Sequence, residues 1–185
     1  MNHFYKDIFG WFDFEDVYQY AVRSFPSGSK FVEVGVYKGK ATAFLGVEII
    51  NSGKDISLTA IDIFDPMPTE MLQGVSYSFD EFMVNMKPIT DAEKFDFSVI
   101  KGESIKTAKQ FKKQSIDFIF IDANHDYEFI LKDIKSWLPK LKKGGIIGGH
   151  DFTDNWPGVK KAVKEMFGND FKVIGNSWIH EIKSL

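Results

Sequence analysis

Short apolar runs alternate along the chain with longer stretches in which apolar positions recur every three or four residues. Short runs bounded by polar residues or glycine mark buried strands, and the wider spacing marks amphipathic helices. Phe31-Val32-Glu33-Val34, residues 56–64 (ISLTAIDIF), 97–100, 116–121 (IDFIFI) and 145–149 read as five successive strands. Residues 171–174 and 178–182 read as a closing pair. The intervening patterns predict helices: one capped by Asp13 and stopped at Pro26, one running to about Asn51, one over 127–141 ended by Gly144-Gly145, and one over 159–167. Strands alternating with helices imply βαβ units. The expected fold class is therefore α/β, a doubly wound, mostly parallel seven-stranded sheet with helices on both faces.

A chain of 185 residues fits one domain around a single core. Residues 1–26 are expected to form an N-terminal helical cap on the single domain 1–185. Residues 65–91, rich in Pro and Met and without a clear period, are expected to form a lid carrying a short helix over 79–85. Repeats and low-complexity segments are absent from the sequence.

Ligands of parallel sheets bind beyond the carboxyl ends of the strands. That rule singles out residues 33–39, Asp62, 102–104, 122–125, and His150 with Asp151. Composition narrows the chemistry of these places. The lack of Cys excludes disulfides, thiolate nucleophiles and thiolate metal sites. A net charge of −3 argues against a dedicated nucleic-acid binder, so a small-molecule partner is expected. No run approaches the roughly 20 apolar residues of a membrane span. The start, MNHFYKDIFGWF, lacks the pattern of a secretory signal, and a cytoplasmic location is expected. Exposed aromatics near the start suggest a homodimer.

In the loop 33–39, Gly35 and Gly39 stand where a chain must turn tightly and let a ligand approach the backbone. The three-glycine dinucleotide fingerprint is not met, which disfavours a dinucleotide. A tight turn without a ligand is the alternative. Asp62, ending the second strand, is placed to accept hydrogen bonds from ribose hydroxyls, or else is a solvated strand end. Asp122 and His125 follow the most apolar strand and offer an acid and a base of near-neutral pKa on one crevice; the alternative for His125 is a helix-start residue bonded to backbone. Trp156 and Phe152 are candidate pocket walls, whereas Tyr127 and Trp137 read as core.

EVGVYKGKAT, LTAIDIF, FIFIDANHDYEFILKDIKSWLPKLKKGGIIGGHDF and PGVKKAV, in this order, resemble class I S-adenosylmethionine-dependent methyltransferases of the metal-assisted sugar and catechol O-methyltransferase group. The resemblance runs over residues 31–167 and implies a Rossmann-like fold and O-methylation of a small hydroxylated acceptor, sugar or phenol in type. It implies that Glu33, Gly35, Val36, Tyr37 and Gly39 flank the methionine part of S-adenosylmethionine, with Asp122 also at the donor. Asp62 would bind the ribose, and Glu103 or Ser104 would lie near the adenine. Ala41 stands where catechol-type relatives carry Ser; Thr42 follows it as the candidate contact. His125 occupies the place of the proton-accepting His of sugar-type relatives, where catechol types have Lys. Asp122, His150 and Asp151 would hold one divalent cation, Mg or Mn, with His150 a departure from an all-oxygen set. The alternative is no metal, with His150 bonded to cofactor or backbone. Two further readings stand beside this one: a nucleotide-dependent oxidoreductase on a Rossmann fold, and a catalytically silent cofactor-binding domain.

Overall fold

The strands run β1 (Lys30–Val34), β2 (Ser57–Asp62), β3 (Phe97–Lys101), β4 (Ile116–Ile121), β5 (Leu141–Gly149), β6 (Lys172–Ile174) and β7 (Ser177–Glu181). The helices are α1 (Glu15–Ser24), α2 (Lys40–Ser52), α3 (Phe79–Thr90), α4 (Ser104–Ala108), α5 (Tyr127–Trp137) and α6 (Pro157–Phe167). These come from a computed structural model, which describes residues 1–65, 77–93 and 95–183. The strands form one sheet in the order β3-β2-β1-β4-β5-β7-β6. The first five are parallel, and β7 pairs antiparallel with both β5 and β6. The expected doubly wound, mostly parallel seven-stranded sheet is what forms.

Alternation along each strand divides the core. Val32, Val34, Ile119, Ile121 and Ile147 face α5 and α6, where Ile134, Trp137, Val159 and Val163 are fully buried. Phe31, Phe118, Phe120 and Leu58 face the other way, against Val17, Tyr18 and Ala21 of α1 and Leu45 and Ile49 of α2. A side chain the size of Trp137 in such a place contributes about 3–5 kcal/mol, judged by truncation to Ala. Among the described residues no helix is long and apolar enough to cross a membrane.

Three expectations need correction. Asp13 does not cap α1: Phe14 holds the N-cap position without a side-chain bond, and Asp13 is engaged elsewhere. β5 begins at Leu141, before the Gly pair. The pairing Ile116 to Leu141 jumps to Phe118 with Ile146, so Gly144, at φ +74°, and Gly145 mark a bulge and not a helix end. α3 runs to Thr90. Ser78 caps it by accepting a hydrogen bond from the Glu81 amide, and Phe82, Met86 and Ile89 bury one face on α2. Residues 79–90 of the expected lid are thus a packed helix, while residues 66–76 lie outside the described residues. α4, too short to show a period, was not expected.

Candidate active site

Parallel register carries one row of residues to the carboxyl edge. Gly35 donates its amide to Ile61, Asp122 to Val34, Gly102 to Asp62 and His150 to Ile121. The connections leaving the adjacent strands β1 and β4 go to opposite faces, since α2 packs with α1 and α5 with α6. That divergence opens a crevice between the ends of the two strands. All five predicted strand ends therefore border one edge of the sheet.

On the β1 side, a Cβ at Gly35 (φ +84°) would lie 2.0 Å from the Asp122 carbonyl oxygen, so only glycine fits. Tyr37 holds a left-handed conformation at φ +48°, strain that neighbouring contacts must sustain. Asp62 supplies them. Its Oδ2 accepts the Val36 and Tyr37 amides at 2.8 and 2.9 Å, and its Oδ1 accepts the Phe64 amide at 2.9 Å and the Tyr77 hydroxyl at 3.0 Å. A carboxylate has about four acceptor positions, so these bonds use its capacity. Asp62 is where the sequence places it, and it clamps the glycine loop. Of its four partners among the described residues, only the Tyr77 hydroxyl is a side chain.

Glu33 and Thr42 are buried beneath this loop and not open to the crevice. Glu33, 1% exposed, accepts a 2.7 Å hydrogen bond from the Tyr18 hydroxyl, while its Oε2 and the Thr42 hydroxyl have no aligned partner among the described residues. Burial raises the Glu33 carboxyl to about 7, against the opposing influence of Thr42 and Tyr18. Gly39 opens α2, its amide bonded to the Val36 carbonyl. Glu103 turns outward to pair with Lys106 at 2.6 Å. Ser104 turns inward: its hydroxyl donates to Asp133 and accepts from the Trp137 indole. Both side chains of the expected adenine pair are thus engaged within the protein.

On the β4 and β5 side, Asp122, His125 and Asp151 bring ligand atoms within 4.8 Å of one another. His125 Nε2 lies 2.7 Å from Asp151 Oδ2 and 3.6 Å from Asp122 Oδ1. The shorter contact is an ion pair out of hydrogen-bond alignment, so among the described residues this buried ring nitrogen makes no aligned hydrogen bond. The Trp156 ring packs on the imidazole, with centroids 4.3 Å apart. Gly158 lets α6 approach: a side chain there would meet the His125 carbonyl at 2.6 Å. Asp151 sits at φ +59°, a second strained residue on the same edge. His150 borders the trio. Its Nδ1 lies 3.4 Å from Asp151 and 3.9 Å from Asp122, and its Nε2 lies 2.6 Å from Asp13 Oδ1.

Electrostatics follow from this packing. Burial disfavours charge on His125, yet Asp122 and Asp151 outweigh it and raise the ring to about 9. His150 is raised to about 9 in the same way, against burial, by Asp151, Asp122 and Asp13. Burial opposes ionisation of Asp151, but the two imidazoles hold it well below the usual carboxylate range. The donor set suits a divalent cation: two carboxylates and an imidazole nitrogen converge within a span that bonds of about 2.0–2.6 Å can bridge. Sequence reasoning grouped His150 with Asp122 and Asp151; the tightest trio has His125 instead. Asp13, Asn176 and Tyr77 were missed as contributors to the edge. Only Asp13 carried any signal, and its apparent helix-cap position gave it another explanation.

The methyltransferase domain family matches residues 32–152. The fold is similar to that of the O-methyltransferase NovP, with a TM-score of 0.72 and 17% identity, covering 92% of this chain and 79% of that one. It is also similar to CalS11, a TDP-rhamnose 3'-O-methyltransferase, with a TM-score of 0.63, 15% identity, and 90% and 76% of the two chains covered. Cofactor-bound Rv0187 from MTB aligns with a TM-score of 0.63, 14% identity, and 97% and 85% coverage.

Proposed function

The chain belongs to the methyltransferase domain family and is an S-adenosylmethionine-dependent methyltransferase, and from that premise we propose that it methylates a hydroxyl oxygen of a small sugar- or phenol-type acceptor. The observation that carries this reading is the convergence of His125 with Asp122 and Asp151 on the edge that also carries the Gly35 loop. NovP and CalS11, both O-methyltransferases, support the choice of oxygen as the acceptor atom. The oxidoreductase alternative gives way to the family match, in keeping with the missing third glycine.

S-adenosylmethionine supplies a methyl group on a sulfonium, a leaving group that departs as a neutral thioether. The chain must hold donor and acceptor in line and help the acceptor lose its proton. We assign proton acceptance to His125 Nε2, the ring nitrogen that faces Asp122 and Asp151. As the acceptor oxygen forms its bond to the methyl carbon, the sulfur–carbon bond breaks and the hydroxyl proton passes to the imidazole. Trp156 keeps the ring's orientation fixed by packing on its face. The Gly35 and Tyr37 backbone, held by Asp62, forms the donor side, and the ribose hydroxyls would exchange with Tyr77 for access to Asp62.

With both carboxylates facing it uncompensated, His125 carries its proton at neutral pH and has no lone pair to accept another. With His125 kept for the proton, a divalent cation held by Asp122, Asp151 and the Nδ1 of His150, 3.9 and 3.4 Å from those carboxylates, would offset that charge, lower the proton affinity of His125, and favour the ionised acceptor oxygen. Release of S-adenosylhomocysteine across phenols, sugars and nucleotide sugars identifies an acceptor. With that acceptor, His125→Ala should lose at least about a hundredfold in turnover while keeping its affinity for S-adenosylhomocysteine. Unchanged turnover would remove His125 from the mechanism.

A further inference from the structure

Residues 10–13 run along the mouth of the crevice. At one end, Gly10 lies against Tyr37 of the glycine loop: a Cβ there would be 3.5 Å from the Tyr37 ring, and the Trp11 ring packs 6.1 Å from it, centroid to centroid. At the other end, Asp13 reaches His150 across 137 positions of sequence. Four contacts make this an aimed arrangement. A carboxylate only accepts, so the Nε2 of His150, 2.6 Å from Asp13 Oδ1, is the donating nitrogen. Asp13 Oδ2 accepts from the Asn176 amide at 2.8 Å, and the Asn176 carbonyl accepts from the Phe152 amide, the residue after strained Asp151. Phe14 packs on the His150 ring with centroids 4.7 Å apart. Edge and face of the imidazole are therefore fixed by consecutive residues of the N-terminal segment.

A proton held on Nε2 puts the Nδ1 lone pair of the neutral ring toward Asp122 and Asp151, 3.9 and 3.4 Å away. Two acceptors and a lone pair facing one another leave a place that a cation fills. An outer carboxylate that takes the second N–H of an imidazole sets the tautomer and basicity of a ligating ring. We propose that Asp13 is a positioning residue that fixes His150 as the imidazole ligand of the cation site formed with Asp122 and Asp151, so that cation binding orders the N-terminal segment. The inference rests on the cation site of the proposed function. It makes residues 10–13 a strap joining the donor loop to the cation, with Asp13 acting only through His150.

Calorimetric titration with Mn²⁺ alone tests it on the full chain, in wild type, Asp13→Asn, Asp13→Glu, His150→Gln, the double variant Asp13→Asn/His150→Gln and Asp151→Asn. Thermal melts and S-adenosylhomocysteine affinity establish that each variant is folded. The expected result is a loss of about tenfold in Mn²⁺ affinity for Asp13→Asn, a comparable loss for His150→Gln, and no further loss in the double variant. Asp13→Glu should recover part of the loss. Hydrogen exchange should show the amides of residues 11–14 protected by Mn²⁺ in wild type and not in Asp13→Asn. Unchanged affinity in Asp13→Asn, or additive losses in the double variant, would overturn the positioning role while leaving the cation site intact. Absence of Mn²⁺ binding in wild type, or binding unaltered by Asp151→Asn, would overturn the cation site and the inference with it.

Discussion

Replacing Asp62 by Asn separates a loop clamp from a simple ribose acceptor. The carboxylate receives three backbone amides and one hydroxyl, all between 2.8 and 3.0 Å. An Asn side chain fits the same space, with one oxygen and one NH₂ in place of two oxygens. Its better orientation keeps the oxygen on the Val36 and Tyr37 amides and turns the NH₂ toward Tyr77, whose hydroxyl can accept. The Phe64 amide then faces a donor and loses its partner. Bonds to a charged acceptor contribute about 1.5–3 kcal/mol and neutral ones about 0.5–1.5 kcal/mol. Losing one charged bond and weakening two others by about 1 kcal/mol each predicts a destabilisation of about 4 kcal/mol. Tyr77→Phe, which removes only the hydroxyl bonded to the carboxylate, should cost about 2 kcal/mol. Urea unfolding supplies both values, and titration with S-adenosylhomocysteine reports whether the variant still binds that ligand. If Asp62→Asn unfolds within 1 kcal/mol of wild type and loses only donor affinity, the clamp argument is wrong and Asp62 serves the ligand alone.

Gly35→Ala must place a methyl 2.0 Å from the Asp122 carbonyl at a φ of +84°; strain and overpacking together predict a loss of about 4 kcal/mol, and wild-type stability in urea would refute the close approach. Without divalent cations, His125 and His150 bind protons more tightly folded than unfolded, each near 9 against 6.5. Their contribution is complete below pH 6.5 and disappears as pH rises to 9. After allowance for solvent screening it is on the order of 2 kcal/mol. The urea midpoint in chelator should fall between pH 6.5 and 9, and a midpoint that rises over that interval would contradict the assigned contacts.

The sheet was legible because its strands are short apolar runs whose polar ends stand out, as IDFIFI followed by Asp122 does. Parallel pairing then carries those ends to one edge, so Gly35, Asp62, Asp122, His125, His150 and Asp151 could be named from position alone. What the sequence left hidden depends on side-chain direction. Ser104 could point to an adenine or inward, and only the packing of α4 on α5 turns its hydroxyl to Asp133 and Trp137. Asp13 had the spacing of a helix cap, yet its bonds run to His150 and Asn176, contacts between distant parts of the chain that no local pattern encodes. The helix expected over 79–85 in fact runs to Thr90 and contains Pro88. Burial of Met86 and Ile89 sustains the helix past it.

A single spectroscopic experiment goes to the central claim, that the donor's methyl group and the acid and histidine cluster share one crevice. In S-adenosylmethionine labelled with ¹³C at the methyl carbon and bound to the enzyme, stoichiometric Mn²⁺ should broaden the methyl resonance strongly. Mg²⁺ should leave it sharp, and Asp151→Asn should remove the broadening. A methyl signal that stays sharp while Mn²⁺ is bound at Asp122 and Asp151 would place donor and cluster apart and contradict the account.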